Sequence, residues 1–352
     1  MDFTLSDEQQ MFAETARTLL GDTCTPDHWR KMMERGDNTD PERRAAIVEN
    51  GFTLVLLPEE VGGMGLGELD FALIAEEAGY VALPEPLIES AGVAAPMLAA
   101  LVPAHPLLAD PEATLAVAHP LNPVVVDADR AAAILLERDG HAFLARADQV
   151  RLTPAQTIDP LRRLFRVEWD AAEADDLGPA DWDLALDRAA LFAAAQGLGL
   201  AQRAVDMAVD YAKERQQFGK PIGSYQAVKH HLASAQVAIE FARPVVRAAA
   251  AEIGHRDMQA RSRVSHAKIA ALEAADKATR ASIQVHGAMG YSWEVDAHLF
   301  LKRTLALTQS WGTPAFHRAR IAARLFTQPA GPDQTFARET HAAAATREII
   351  HA

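Results

Sequence analysis

Cysteine is almost absent: Cys24 is the only one in 352 residues. That excludes an internal disulfide, and with it any CxxC metal or redox motif. Aromatic residues are also scarce, at 6%, and abundant alanine in their place biases the chain toward helix. The opening stretch MDFTLSDEQQ is acidic and polar and lacks the basic-then-apolar pattern of a secretory leader. No uninterrupted apolar run reaches the ~20 residues that span a bilayer. Positive charge is outweighed, with a formal net charge of −14. A surface of that sign repels nucleic acid and anionic lipid, yet it leaves room for a local basic pocket around a phosphate-bearing cofactor. The expectation is a cytoplasmic protein with no nucleic-acid or membrane partner. No HExxH occurs, and His230 and His231, adjacent on a helix, point apart. No metal is expected.

What is present reads as helix, then strand, then helix. Ser6 with Gln9 three residues on, preceded by Leu5, forms a capping box with a staple. Met11, Phe12, Ala16, Leu19 and Leu20 follow on one helical face. Further helices fit 41–50, 68–79 and 86–101. The runs 114–118, 123–127, 132–137, 141–147 and 164–169 are short and β-compatible, separated by Pro, Asp and Gly. The acidic stretch 171–183 reads as an exit linker. Long helices then fit 185–214, 224–253, 260–285 and about 295–325, joined by short loops as in a bundle. The fold class expected is mostly α with a small β domain. Its parts are an N-terminal helical domain (1–109), a reduced middle β domain (110–182), a C-terminal four-helix bundle (183–327) and a tail (328–352).

Two segments carry chemistry. Arg215-Gln216-Gln217-Phe218-Gly219-Lys220-Pro221-Ile222-Gly223 places a fork-like cation and amide side chains at a helix end, beside Gly and Pro that let another surface approach. A plain helix C-cap with basic residues near the carbonyl end would use the same residue types. Gln284-Val285-His286-Gly287-Ala288-Met289-Gly290-Tyr291 suits a backbone that passes close beside a ligand or another chain, and equally an interhelical turn. No strand precedes it, so it is not a dinucleotide-binding βαβ turn.

Together with PEEVGGMGLGELDFALIAEEAGY (58–80), these segments in this order resemble the acyl-CoA dehydrogenase family. The N-terminal string is similar to the family's P-E-x-x-G-G-x-G turn and E-E-x-G helix. RQQFGKPIGSYQAVKHHLA is similar to its R-x-x-F-G-x-x-I-x-x-x-Q segment, and QVHGAMGYSWEVDAHLFLKR to its Q-x-x-G-G-x-G segment. The resemblance covers roughly 1–100 and 183–325. It implies FAD bound across a subunit interface. Arg215, Gln217 and Phe218 would lie at the pyrophosphate region, Tyr225 and Gln226 near the nucleotide, and Gln284, Val285, His286, Gly287 and Ala288 around the pyrophosphate and ribose. Thr313 would be a further cofactor-binding residue. An acyl-CoA substrate and an electron-transfer flavoprotein as acceptor are implied with it.

The sequence departs from the family at the chemistry. The family's base is a glutamate in a Y-E-G-T segment; the matching residues here are Ser310-Trp311-Gly312-Thr313, so Trp311 stands in the glutamate's place. An indole abstracts no proton, whereas a desolvated carboxylate does. Other members carry the base on the helix that opens the C-terminal domain, at the position of Ala189 here. Asp187 lies two residues away on a different face and reads as a first-turn or exposed acid. Residues 110–170 contain neither the T-E-P-x-x-G-S-D nor the W-I-T-N stretch that holds the flavin ring. Residues 292–303 resemble a divergent branch, in which a shorter, base-lacking subunit of actinobacterial heterotetrameric acyl-CoA dehydrogenases completes a partner's nucleotide site. Members of that branch act on steroid side chains or other bulky acyl-CoAs. The leading expectation is such a subunit. A self-sufficient homotetrameric dehydrogenase using Asp187 or another carboxylate, and a non-catalytic scaffold of the same fold, are the alternatives.

Overall fold

The structure is a computed structural model and describes residues 4–327; the tail assigned to 328–352 lies outside the described residues. Helix α1 (Asp7–Thr23) begins at the Ser6–Gln9 capping box. The sequence reading overlooked α2 (Pro26–Arg35), although Thr25-Pro26 before it and left-handed Gly36 after it are ordinary start and stop signals. Asp40 caps α3 (Pro41–Glu49). Helix α4 (Glu68–Tyr80) restarts from the glycine turn at Gly67. The helix expected at 86–101 is a π-helical stretch, Ile88–Ala94, running into α5 (Ala95–Leu101).

Seven strands follow: β1 (Leu115–Ala118), β2 (Val125–Val126), β3 (Ala133–Arg138), β4 (His141–Ala145), β5 (Arg151–Ala155), β6 (Leu164–Glu168) and β7 (Asp175–Pro179). They make two sheets, ordered β1-β3-β4-β7 and β2-β6-β5. Alternation explains the first sheet. Leu115, Val117, Ala133, Leu135, Ala142 and Leu144 face the helical core, while Ala116, Ile134, Leu136 and Ala145 face Phe165 and Val125 of the second sheet. The stretch 171–183 is more than a linker. Asp175–Pro179 pairs antiparallel with β4, and its acids sit on an edge strand, where charge blunts further pairing.

The last part comprises α6 (Trp182–Glu214), a short hairpin of β8 (Gln216–Gln217) and β9 (Lys220–Pro221), α7 (Gln226–Glu252), α8 (Met258–His286), α9 (Ala297–Gln309) and α10 (Pro314–Thr327). The single helix expected at 295–325 is broken in two, because Trp311 (φ 56°) and Gly312 (φ 92°) both adopt the left-handed conformation. By length and composition α6 is apolar enough to cross a membrane, but 89% of its most apolar stretch is buried inside the protein. It is the central core helix, packed against α4, α7, α8 and α9.

One buried contact between the N-terminal helices and the β domain carries a pH prediction. Asn38 Nδ2 donates to both carboxylate oxygens of Asp127, at 3.0 and 2.9 Å. Burial pushes the Asp127 carboxyl up to about 6, with the Asn38 bonds pulling the other way. The unfolded carboxyl titrates near about 3.9, so between those values the folded state binds more protons. Stability from this group is therefore fullest below the unfolded pKa and falls as pH rises toward 6, by on the order of 2 kcal/mol. Asp127→Asn should flatten this part of the profile, measured as urea midpoints at intervals from pH 4 to pH 7.

Candidate functional site

The two motif segments meet at one end of the bundle. Tyr211 of α6 stacks on His286 of α8, with ring centroids 4.4 Å apart, and Gly197 of α6 faces Ala271 and Leu272 of α8. These helices therefore run side by side in the same direction, and the hairpin after α6 lies beside the glycine turn after α8. Arg215 closes α6 by donating its N–H to Tyr211 O at 2.9 Å, and its own carbonyl accepts from Ile222 N at 2.8 Å. Phe218 (φ 53°) and Gly219 (φ 79°) form the two-residue turn of the hairpin. The Phe218 ring stands 94% exposed. Tyr225 donates its hydroxyl to Gln217 O at 3.2 Å, and Lys220 Nζ lies 4.3 Å over the Tyr225 ring.

The side chains of Arg215, Gln217, Gln226 and Gln284 are exposed and make no hydrogen bond among the described residues. Gln226 opens α7, whose N-terminus has no side-chain cap, so the first amide groups of α7 point outward at the positive end of the helix dipole. An exposed guanidinium, three exposed carboxamides and an uncapped helix start fit a phosphate-bearing nucleotide. The α8 end contributes less. Its terminal carbonyls disfavour an anion, so the cation at Arg215 and the start of α7 are the groups here whose charge suits one. Gly287 (φ 64°) and Ala288 are exposed, and a Cβ added at Gly287 would meet nothing within 4 Å. Val285 is half-buried. His286 does not fill the place expected of it: its Nδ1 donates to Ser282 O at 2.8 Å, and its buried ring lies against Tyr211.

Thr313 lies apart from these residues. It sits in the α9–α10 loop, whose neighbour on α8 is Lys268, roughly 27 Å along that helix from His286 at 1.5 Å rise per residue. Within one chain the structure does not bring Thr313 beside Arg215, Gln217, Gln226 or Gln284.

Around Thr313 the site is closed rather than poised. Trp311 is 3% exposed and its ring meets the edge of His119 at 6.2 Å, which in turn meets Trp182 at 5.9 Å. Its N–H donates to Asn122 Oδ1 at 3.3 Å, and its carbonyl accepts from His317 Nε2 at 2.9 Å. Lys268 Nζ donates to the carbonyls on either side, Ser310 O and Gly312 O, the latter at 2.9 Å. Burial lowers Lys268 to about 7; a neutral amine still has two N–H groups for two carbonyls, so the bonds do not require the charge. Burial also lowers His317 to about 4, with Lys268 adding to the effect. Neutral His317 donates from Nε2 while its Nδ1 accepts from Ser265 Oγ at 3.0 Å.

A cavity of about 340 Å³ opens beside Trp311, lined by Val124, Val126, Leu164, Leu305 and the ion-paired Glu89 and Arg162. The carboxylate lining it is therefore held by a guanidinium. Asp187 is not the first-turn or exposed acid that was expected. It is 3% exposed and bonded to Arg320 Nη2 at 2.6 Å, with Arg261 Nε 3.8 Å away. Burial raises its carboxyl, against the pull of those two guanidinium groups. The arrangement ties α6 to α8 and α10 and keeps the Asp187 carboxylate paired; Ala189 beside it is fully buried. Asn122, Lys268 and His317 escaped the sequence reading because each sits inside an unremarkable helix or loop and acquires its role through a fold contact.

Comparison with known proteins agrees with the motif order. Residues 6–101 match the family model described as "Acyl-CoA dehydrogenase, N-terminal domain", and residues 180–326 match "Acyl-CoA dehydrogenase, C-terminal domain". The chain is similar to acyl-CoA dehydrogenase IpdE2 of Mycobacterium tuberculosis, 34% identical over 93% of this chain and 100% of that protein. Among solved structures it resembles a chain of the ChsE4-ChsE5 complex from Mycobacterium tuberculosis, with a TM-score of 0.82, 24% identity, and 94% and 100% of the two chains covered. It also resembles PigA in its FAD complex, with a TM-score of 0.78, 20% identity, and 93% and 99% covered. At these identities the two structures attest a shared fold.

Proposed function

The chain belongs to the acyl-CoA dehydrogenase family, and from that premise we propose that it is the base-lacking subunit of a two-chain enzyme, holding the nucleotide half of FAD for a catalytic partner. The observation that carries this reading is the split between the two ends of the bundle. Arg215, Gln217, Gln226 and Gln284 stand exposed and unpartnered at one end, while Trp311 fills the base position at the other. Bound FAD supplies the acceptor for the hydride that leaves the acyl β-carbon. This chain's residues bind and orient: Arg215 offers its fork to the pyrophosphate, the α7 start adds amide groups, and the carboxamides of Gln217 and Gln284 offer donors to the nucleotide. The partner would contribute the carboxylate that takes the α-proton and the loops that hold the ring. The acyl-CoA would be a bulky or steroid-side-chain thioester, as in the branch that residues 292–303 resemble, with an electron-transfer flavoprotein as acceptor. Two-chain assembly is supported by the likeness to a chain of the ChsE4-ChsE5 complex.

Purified alone, the chain should carry little flavin. Coexpressed with a base-bearing acyl-CoA dehydrogenase subunit as its partner, it should give a yellow, active complex. Full flavin loading and turnover by the isolated chain would defeat the proposal. In the complex, Arg215→Ala should weaken flavin retention by roughly tenfold or more, since a charge-assisted hydrogen bond contributes about 1.5–3 kcal/mol. The flavin-to-protein absorbance ratio after gel filtration measures this.

A further inference from the structure

The α9–α10 loop is a partition. On one side lies the cavity of about 340 Å³ lined by Ser310 and Trp311; on the other lies one of about 410 Å³ lined by Lys268, Gly312 and His317. Leu305 faces both. The backbone of this partition is held from three separate elements. Asn122, in the loop after β1, takes the Trp311 N–H. His317 of α10, backed by Ser265, donates its Nε2–H to the Trp311 carbonyl. Lys268 of α8 donates to the carbonyls of Ser310 and Gly312. Trp311 itself is left-handed, a conformation that a bulky residue keeps only where its surroundings impose it. A loop that had merely lost a glutamate would not need the Trp311 N–H and the carbonyls of Ser310, Trp311 and Gly312 tied by buried side chains from elsewhere in the chain.

We propose that Lys268 is a positioning residue: with His317 and Asn122 it holds the loop that parts the two cavities, and so fixes the Trp311 indole as a wall of the cavity of about 340 Å³, where it shuts out an acyl group. The inference rests on the reading above that this chain is the base-lacking half of the enzyme. It adds that the half-site is closed by construction, so acyl groups are directed to the partner.

The full chain labelled with 5-fluorotryptophan gives one fluorine resonance for each of Trp29, Trp169, Trp182, Trp293 and Trp311, and Trp311→Phe identifies the last. Lys268→Met should shift or broaden the Trp311 resonance while leaving those of Trp29, Trp169 and Trp293 in place. Lys268→Arg, which keeps several donors, should restore it at least in part. An unmoved, narrow Trp311 resonance in Lys268→Met overturns the positioning role. Should that variant fail to fold, Asn122→Leu removes a different bond to the same loop and is expected to move the same resonance. Closure is read separately with free indole as probe. The Trp311→Gly chain should bind indole, and the unaltered chain should not; equal binding by both overturns the wall. Flavin loading of the isolated chain bears on the two-chain reading, whereas these two measurements bear on the wall alone.

Discussion

Arg303→Ala should cost about 3–5 kcal/mol of stability, the range for stripping one partner from a buried ion pair. Arg303 lies on α9 and is 2% exposed. Its Nε donates to Asp159, in the loop between β5 and β6, and its Nη1 donates to Leu83 O, just after α4, at 2.9 Å. One side chain therefore pins the C-terminal bundle to both the β domain and the N-terminal helices. Truncating it strands a fully buried carboxylate and a carbonyl, and opens a cavity where the stem lay. Chemical denaturation followed by far-UV circular dichroism measures the loss. Arg318→Ala, which breaks the exposed pair with Glu273, is the control and should cost no more than about 1 kcal/mol. Pairing Arg303→Met with Asp159→Leu should recover much of the loss, because no charge is then left buried. A change at Arg303 no larger than the Arg318 control would show that the pin contributes little.

Gly199→Ala should be comparably damaging, at roughly 3 kcal/mol or more, the upper end of overpacking costs. Helices α4 and α6 cross at a reciprocal pair of glycines. A Cβ on Gly199 would sit 1.8 Å from Glu76 O and 2.5 Å from Tyr80 N, and one on Gly79 would sit 2.1 Å from Gln196 O. The obstructing atoms are backbone, so no side-chain rotation relieves the clash and the helices must separate. Separation would loosen neighbouring contacts such as the Phe71–Phe192 ring pair at 4.7 Å. Gly254→Ala meets nothing within 4 Å and serves as the neutral comparison, expected within about 0.5 kcal/mol of the unaltered chain. Thermal unfolding of the two variants side by side decides the matter: similar midpoints would mean that the crossing has slack.

Much of the fold was readable where signals are local. The Ser6–Gln9 cap, the alternating strands β1, β3 and β4, and the long α6, α7 and α8 follow from periodicity and capping alone. Strand β7 was hidden because an acidic edge strand has the composition of a linker, and its pairing with β4 is a long-range fact. The break between α9 and α10 was hidden for a related reason. Trp311 is an unlikely residue for a left-handed turn, and only Asn122, Lys268 and His317, drawn from distant parts of the chain, hold it there.

The site divides along the same line. Arg215, Gln217, Gln226 and Gln284 could be singled out because each belongs to a short segment that resembles one of the family's motifs. The sequence by itself determined the order of helical and β regions, the family likeness and the proposal that Trp311 stands in the place of the base. Only the tertiary structure decided that Asp187 is locked between two arginines, that His286 spends its ring on Tyr211 and Ser282, and that Thr313 lies far along the bundle from the His286 end of α8. Secondary structure and short motifs depend on neighbours a few residues apart. A buried charge takes its partner, and hence its chemistry, from residues such as Arg320, which only folding brings to Asp187.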